Sequence, residues 1–530
     1  MRALLILSLA LTACNKDADV KDDTGPIDTA PQDTGWDARY DALVEAVKAD
    51  LAASHAPGVQ VAVMEGGQVT FAATFGSGHP DQDVAISNDT LFQIGSDTKK
   101  QTAVALLQKV EAGLVSLDDT LAVALPQLEF AYGPEWNDQV LVEHLLTHQG
   151  GFYDYALWEM GEADDLLASW TYGTFASDFF LMNPPGEFWN YSNPNFSLAG
   201  LITEENDTRA WPDIMLEDVY QPLGMDRTYL RKSEVLADGD YAVGYGVNPQ
   251  NGDMGTREMD IVADHAWTRP AGLAWSTATQ QLYFADFLMR GDPAVLSDEL
   301  VAQMHDERVN TLYLFDENHY GYGLMVQRGL ELDGAYYEIP VWNHGGNTMA
   351  FSSAFWVLPD HDFAISILSS GYGTDFNDSV YTAIRTLVDD LPTPVDPPEY
   401  VIDTARYAYH VGDYMDEWNV GPAMVTQVGD SLNIEMPVLD QHGYDYEQEL
   451  IAISSDIHYI EIQGNYYDMT FIQQEEGEPS AYIRNRIFVQ TRDDGQALAG
   501  TRRTPTKADV DRWLEQARVS EPLSLGRPAR

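Results

Sequence analysis

Ser96 and Lys99 stand one helical turn apart in Phe92-Gln93-Ile94-Gly95-Ser96-Asp97-Thr98-Lys99. Positions i and i+3 share a helix face, so this hydroxyl and this amine can meet. A serine hydroxyl becomes a nucleophile when a neighbouring base takes its proton, and a partly desolvated amine is one such base. Taken alone, Ser-x-x-Lys reads better as the capped start of a surface helix. Two further motifs follow in order, Tyr191-Ser192-Asn193 and His344-Gly345-Gly346. Alone, Tyr191 beside Phe188 and Trp189 reads as a buried aromatic and His344 as a core histidine. Each of these is the better reading of its motif taken singly.

These residues need a scaffold, and the apolar periodicity outlines one. Leu43, Val44, Val47 and Leu51 mark one face of a helix that Pro57-Gly58 ends. Residues 59–64 and 69–75 read as strands joined in a hairpin at Glu65-Gly66-Gly67-Gln68. The Ser96 segment runs on as a helix through Val104, Leu107 and Val110 to Gly113. Ser96 is thereby set at a helix N-terminus, where exposed N–H groups and the dipole favour developing negative charge. Residues 121–266 mix helical stretches with long polar and aromatic loops, and strand-like runs return at 322–327, 337–342, 350–358 and 363–368, before a helix over 377–389. Strands from both chain ends around a helical middle predict an α+β fold: an antiparallel sheet flanked by helices, with an all-helical insert.

Pro392, Pro394, Pro397 and Pro398 form the clearest boundary. Beyond it, runs at 423–428, 431–436, 458–462, 467–473 and 481–491 predict a small antiparallel, barrel-like domain. A short amphipathic helix follows on Val510, Trp513, Leu514 and Ala517. The domain plan expected is 36–390 for the motif-bearing domain, 391–399 for a Pro-rich linker, 400–495 for the β-rich domain and 496–530 for a helix and tail.

The 530-residue chain carries 29 basic against 84 acidic residues, a formal net charge of −55. Such a surface repels nucleic acid and anionic head groups. Residues 1–13 combine one positive charge with a short apolar run, and Leu11-Thr12-Ala13-Cys14 resembles the bacterial lipobox. That resemblance implies a lipoprotein signal peptide, lipidation of Cys14 and a lipid anchor at the cell envelope. Residues 14–35, rich in aspartate with Pro26 and Pro31, predict an acidic disordered tether. Their aspartates do not complete a calcium loop, so no metal site is expected. Cys14 is the lone cysteine, which excludes a disulfide within the chain.

The three motifs together resemble those of the serine β-lactamase and penicillin-binding-protein superfamily, and within it the class C β-lactamase-related serine hydrolases. Leu145-Leu146-Thr147-His148-Gln149-Gly150-Gly151 is similar to that group's L-L-T-H-x-x-G stretch. Pro185-Gly186, Pro222-Leu223-Gly224-Met225, Pro270-Ala271-Gly272-Leu273 and Ser276-Thr277 also fit, so the resemblance covers roughly residues 36–390. It implies that Ser96 forms an acyl-enzyme that water hydrolyses, without a cofactor. Lys99 and Tyr191 would share the proton work, with either able to serve as base. Asn193 would hold Lys99 and a substrate amide or ester group, and His344, Gly345 and Gly346 would line the substrate. The oxyanion hole would use the backbone N–H groups of Ser96 and Asn347. His148 is expected to serve packing.

Two departures matter. β-Lactamases of this group carry lysine where His344 stands, followed by Thr or Ser, and the pair helps bind the β-lactam carboxylate. A histidine of ordinary pKa is mostly neutral at pH 7, and Gly345 has no hydroxyl. A His-Gly third motif looks more like the esterases and D-amino-acid peptidases of the group. The expectation is therefore an envelope-anchored serine hydrolase acting on an ester or a small D-amino-acid-containing peptide or amide. The alternatives are a DD-carboxypeptidase or weak β-lactamase and, in another class, a non-catalytic binding protein with this fold. The expected partner is that small-molecule or peptide substrate, with no nucleic acid, and with a membrane only through the N-terminal lipid. The Thr-Ser usually found where Gln149-Gly150 stand is also missing, which puts the local packing in question.

Overall fold

Val59, Val61 and Val63 face one side of the strand Gly58–Glu65, Ala62 and Met64 face the other, and all five are buried. A strand apolar on both faces needs cover on both. In the computed structural model, helices Asp41–Ala53 and Asn377–Leu387 cover the valine side with Leu43, Val47, Val380 and Ile384. Helices Ala278–Arg290 and Thr98–Glu111 lie in the core on the other side with Leu282, Ala285 and Val104. The structure describes residues 35–128, 138–154, 167–172, 181–248, 253–313, 318–398, 400–416, 419–485, 488–493 and 505–519. Cys14 with the expected signal and tether segments as far as residue 34, and residues 494–504 and 520–530, lie outside the described residues.

The central sheet has eight antiparallel strands in the order Gln68–Gly76, Gly58–Glu65, Phe363–Ser369, Ser352–Leu358, Val341–Asn347, Met325–Gln327, Asn318–Tyr320, Val309–Asn310. Strands from before and after the insert contribute to it, and the third motif lies on its fifth strand. The expected strand over 337–342 is split: Ala335–Tyr337 joins a separate hairpin with Leu330–Leu332, and Val341–Asn347 enters the main sheet. Pro340, which has no N–H to donate, stands at the break. The expected strand over 322–327 shortens to Met325–Gln327. Among the described residues the insert is not all-helical: its helices are joined by long irregular stretches, and Gly244–Val247 and Met254–Arg257 pair as a small hairpin that the polar sequence did not signal.

The C-terminal sheet also has eight strands, from Ser431–Glu435 through Gly421–Val428, Gly412–Asp416, Val489–Arg492, Tyr482–Arg484, Asn465–Ile472 and Ile457–Ile462 to Ile451–Ala452. A bridge between Asn433 and Glu449, with Leu450 N donating to Leu432 O at 2.8 Å, brings its ends together, so the barrel is nearly closed. Val510 and Trp513 of helix Lys507–Val519 are buried in its core. Among the described residues, no helix is long and apolar enough to cross a membrane.

Candidate active site

The Ser96 turn is held from three directions. Phe92–Gln93 pairs with Trp275–Ser276, and Ile94 N donates to Ala274 O at 2.9 Å. Thr98 Oγ1 donates to Gly95 O at 2.8 Å and accepts from Ala274 N at 3.2 Å. Ser353 Oγ on the sheet donates to Ile94 O at 2.8 Å. Ser96 itself lies in a short 3-10 turn, Gly95–Asp97, that leads into helix Thr98–Glu111. Asp97 rather than Ser96 occupies the N-cap, which leaves the Ser96 hydroxyl for other work.

Lys99 is fully buried, and its ammonium reaches Ser96 Oγ at 2.9 Å, Asn193 Oδ1 at 2.7 Å and Ala271 O at 2.6 Å. Those acceptors match the three donors of an ammonium group. Lys99 Nζ also lies 4.8 Å from the centre of the half-buried Tyr191 ring. The structure thus brings together Ser96, Lys99, Tyr191 and Asn193, which are separated by as many as 94 residues between bonded partners.

Tyr191-Ser192-Asn193 is the entry to helix Asn193–Glu205, where Pro194 in the first turn removes an N–H the helix would not use. Asp154 accepts from Asn193 N at 2.9 Å and from Asn193 Nδ2 at 2.9 Å. One carboxylate therefore caps the helix and turns the Asn193 amide so that Oδ1 faces Lys99. His148, at φ +58°, accepts from Asn190 N through its carbonyl at 2.9 Å and from Ser192 N through Nδ1 at 3.1 Å. Its ring centre lies 4.1 Å from that of Tyr191, with the two planes tilted by 33°. The residues in place of Thr-Ser pack soundly: Gln149 accepts from Thr147 Oγ1 at 3.0 Å and donates to Gly186 O at 3.1 Å.

The third motif lies against the Ser96 turn. A methyl group on Gly95, whose φ is +56°, would fall 2.6 Å from Asn347 N, and one on Gly346 would overlap Ile94 O and lie 2.6 Å from Ser353 Oγ. Only glycine at both positions lets strand Val341–Asn347 approach so closely, which sets Asn347 N beside the turn bearing Ser96. Ser352 Oγ donates to Asn347 Oδ1 at 2.7 Å. His344 is buried, with Nδ1 at 2.6 Å from Gly345 O and Nε2 at 3.1 Å from Tyr320 Oη. Each ring nitrogen thus has a hydrogen-bond partner on the central sheet. Gly345 faces solvent.

A second pair runs alongside the first. Lys100 Nζ donates to Asp97 Oδ1 at 2.5 Å and to Asp97 O at 3.0 Å, and both side chains are fully buried. Burial pushes the Asp97 carboxyl up and the Lys100 ammonium down from their ordinary values. Phe355 lies beneath Lys100, with its ring centre 3.9 Å from Nζ. Sequence reasoning missed this pair although its i, i+3 spacing was visible. It also missed Asp154 and the Ala271 carbonyl, which carry no local signal.

A family model described as Beta-lactamase matches residues 43–388, and the chain belongs to that family. It is thus of the serine hydrolase type. Among curated proteins it is similar to Protein flp of Staphylococcus aureus (strain NCTC 8325 / PS 47), 23% identical over 385 residues that span 72% of this chain and 70% of that one. Among solved structures, the crystal structure of SurE matches with a TM-score of 0.62 at 20% identity, covering 86% of this chain and 99% of that one. The D-amino acid amidase from Ochrobactrum anthropi SV3, complexed with L-phenylalanine amide, matches with a TM-score of 0.55 at 20% identity, covering 66% and 99%. The likeness to both structures is one of fold.

Proposed function

We propose that the chain hydrolyses amide or ester bonds of small substrates, with amides and peptides of D-amino acids as the favoured class, through an acyl-enzyme on Ser96. The observation that carries this is the fully buried Lys99 Nζ 2.9 Å from Ser96 Oγ, fixed by Asn193 and Ala271. The Lys99–Tyr191 pair takes the proton as amine with phenol or as ammonium with phenolate: Ser96 Oγ attacks the substrate carbonyl carbon as its proton passes to that pair, and the C–N or C–O bond then breaks as the pair returns the proton to the leaving amine or alcohol. The N–H groups of Ser96 and Asn347 receive the charge on the carbonyl oxygen. Water then attacks the ester carbonyl, gives its proton to the same pair, and releases the acid and the Ser96 hydroxyl.

The third motif supports a substrate other than a β-lactam. Both ring nitrogens of His344 are engaged, by Gly345 O and Tyr320 Oη, and Gly345 offers no hydroxyl. A carboxylate placed there meets neither the lysine nor the hydroxyl that penicillin recognition uses in the family. The amidase likeness of the fold supports amide substrates. The test is a panel of D- and L-alanine p-nitroanilides, p-nitrophenyl acetate and a chromogenic cephalosporin. Faster turnover of the D-anilide than of its L-isomer, with the cephalosporin poorest, is expected. A cephalosporin turned over best, or no turnover of any member, would overturn the reading.

A further inference from the structure

Arg484 belongs to the barrel, yet its guanidinium is fully buried among backbone carbonyls of the other domain. Nη1 donates to Trp189 O at 2.8 Å and to Thr311 O at 2.6 Å, and Nη2 donates to Leu312 O at 2.7 Å and to Thr470 Oγ1 at 3.0 Å. The same cation lies 5.5 Å from the Trp189 ring centre. Asp468 of the barrel is 3.9 Å away. Trp189 stands two residues before Tyr191, and the two rings are 6.2 Å apart. Leu312 is not a glycine, yet it holds φ +44°, a strained backbone that two barrel side chains, Arg484 and Thr470, secure through its carbonyl.

An apolar seam surrounds this contact. Ile472, Tyr482 and Val489 of the barrel pack with Tyr153, Met182 and Phe188, and the Phe188 and Tyr482 rings lie 5.3 Å apart. Tyr153 directly precedes Asp154, the carboxylate that orients Asn193. The barrel therefore grips the segment that carries Tyr191 and Asn193 and the segment whose Asp154 orients Asn193.

We propose that Arg484 is a positioning residue, through which the barrel fixes the Trp189 backbone and so the place of Tyr191 against Lys99. The proposal rests on the acyl-enzyme reading above. On this view the barrel is a working wall of the site, and one planar fork ties three separate carbonyls, a task lysine performs only in part.

The test uses the full-length chain with Arg484→Met, Arg484→Lys and, as a barrel control, Arg492→Met. Arg492 donates to Ser480 O, Val411 O and Tyr409 O, all within the C-terminal part of the chain. Hydrogen exchange of the peptide over 186–193 should quicken about tenfold or more in Arg484→Met, less in Arg484→Lys and little in Arg492→Met, with the Thr98–Glu111 helix unchanged. The kcat on p-nitrophenyl acetate should follow the same order, falling about tenfold or more in Arg484→Met with KM nearly constant, because a misplaced catalytic group is missed in the transition state. Unchanged exchange over 186–193, or a loosened segment with the wild-type kcat, would overturn the proposal. So would Arg484→Lys matching wild type in both readouts, or Arg492→Met matching Arg484→Met. A wild-type chain that forms no Ser96 adduct would sink the hydrolase reading and with it the catalytic role of Arg484, whereas the exchange data alone decide whether the clamp exists.

Discussion

Replacing Gly346 by alanine should disable the site without a change at any side chain that does chemistry. The new methyl overlaps the Ile94 carbonyl oxygen and comes within 2.6 Å of Ser353 Oγ and 2.9 Å of Ile94 C. Two of these three neighbours are backbone, so strand Val341–Asn347 must retreat from the Ser96 turn by roughly an ångström, a displacement that costs on the order of 10²-fold in rate when it misplaces reacting groups. The retreat withdraws Asn347 N from Ser96, and loss of one oxyanion donor costs about 2.7–4 kcal/mol, or roughly 10²–10³ in kcat, in other hydrolases. Overpacking should also lower stability by about 1–3 kcal/mol. Gly345→Ala makes the comparison sharp: its methyl would meet only Ser353 O, at an ordinary 3.4 Å. That variant should lose less than about tenfold, or about 1.4 kcal/mol. The assay is kcat on p-nitrophenyl acetate, with denaturant unfolding at the same pH to separate rate from stability. A folded Gly346→Ala with the rate of Gly345→Ala would refute the close approach of strand and turn as the source of the oxyanion site.

Asp154→Ala frees the Asn193 amide to rotate, and kcat/KM should fall by the worth of a charged hydrogen bond, about 1.5–3 kcal/mol; a wild-type rate would show that Asn193 needs no such partner. Asp97→Asn leaves Lys100 buried beside a neutral group and should destabilise by about 3–5 kcal/mol, whereas Asp97→Leu/Lys100→Met should recover much of it. Denaturant midpoints decide this, and a single variant costing less than about 1 kcal/mol would contradict a dry, paired site. His458 is fully buried in the barrel, and burial, with His410 nearby, pulls its pKa from 6.5 down to about 3. The unfolded chain then binds the extra proton between those values, so stability is full above the unfolded pKa and falls on acidification by roughly 1.4 kcal/mol per pH unit. His458→Phe should remove roughly 2 kcal/mol of the stability difference between pH 7 and pH 5, and an unchanged difference would contradict the assignment.

How much of this was legible in the sequence follows from how local each interaction is. The Ser96–Lys99 contact is a helix spacing, and the strands at Gly58–Glu65, Ser352–Leu358 and Phe363–Ser369 are apolar enough on both faces to stand out. The resemblance then pointed to Tyr191, Asn193 and the His344 strand, and the fold sets them at one place. Asp154 lies 39 residues before Asn193 in a segment without periodicity, so nothing local marks it as a partner. Ala271 acts through a carbonyl that every residue possesses. Arg484 meets Trp189 across 295 residues, and its meaning depends on how two domains dock. Strand limits failed where a single residue decides them, as at Pro340.

The central claim is that Ser96 is the nucleophile, and covalent labelling tests it most directly. Treatment with a fluorophosphonate, followed by peptide mass mapping, should place one phosphonyl group on Ser96, with loss of fluoride, and Ser96→Ala should take none. An adduct that persists in Ser96→Ala, or a folded wild-type chain that takes no label, would contradict it.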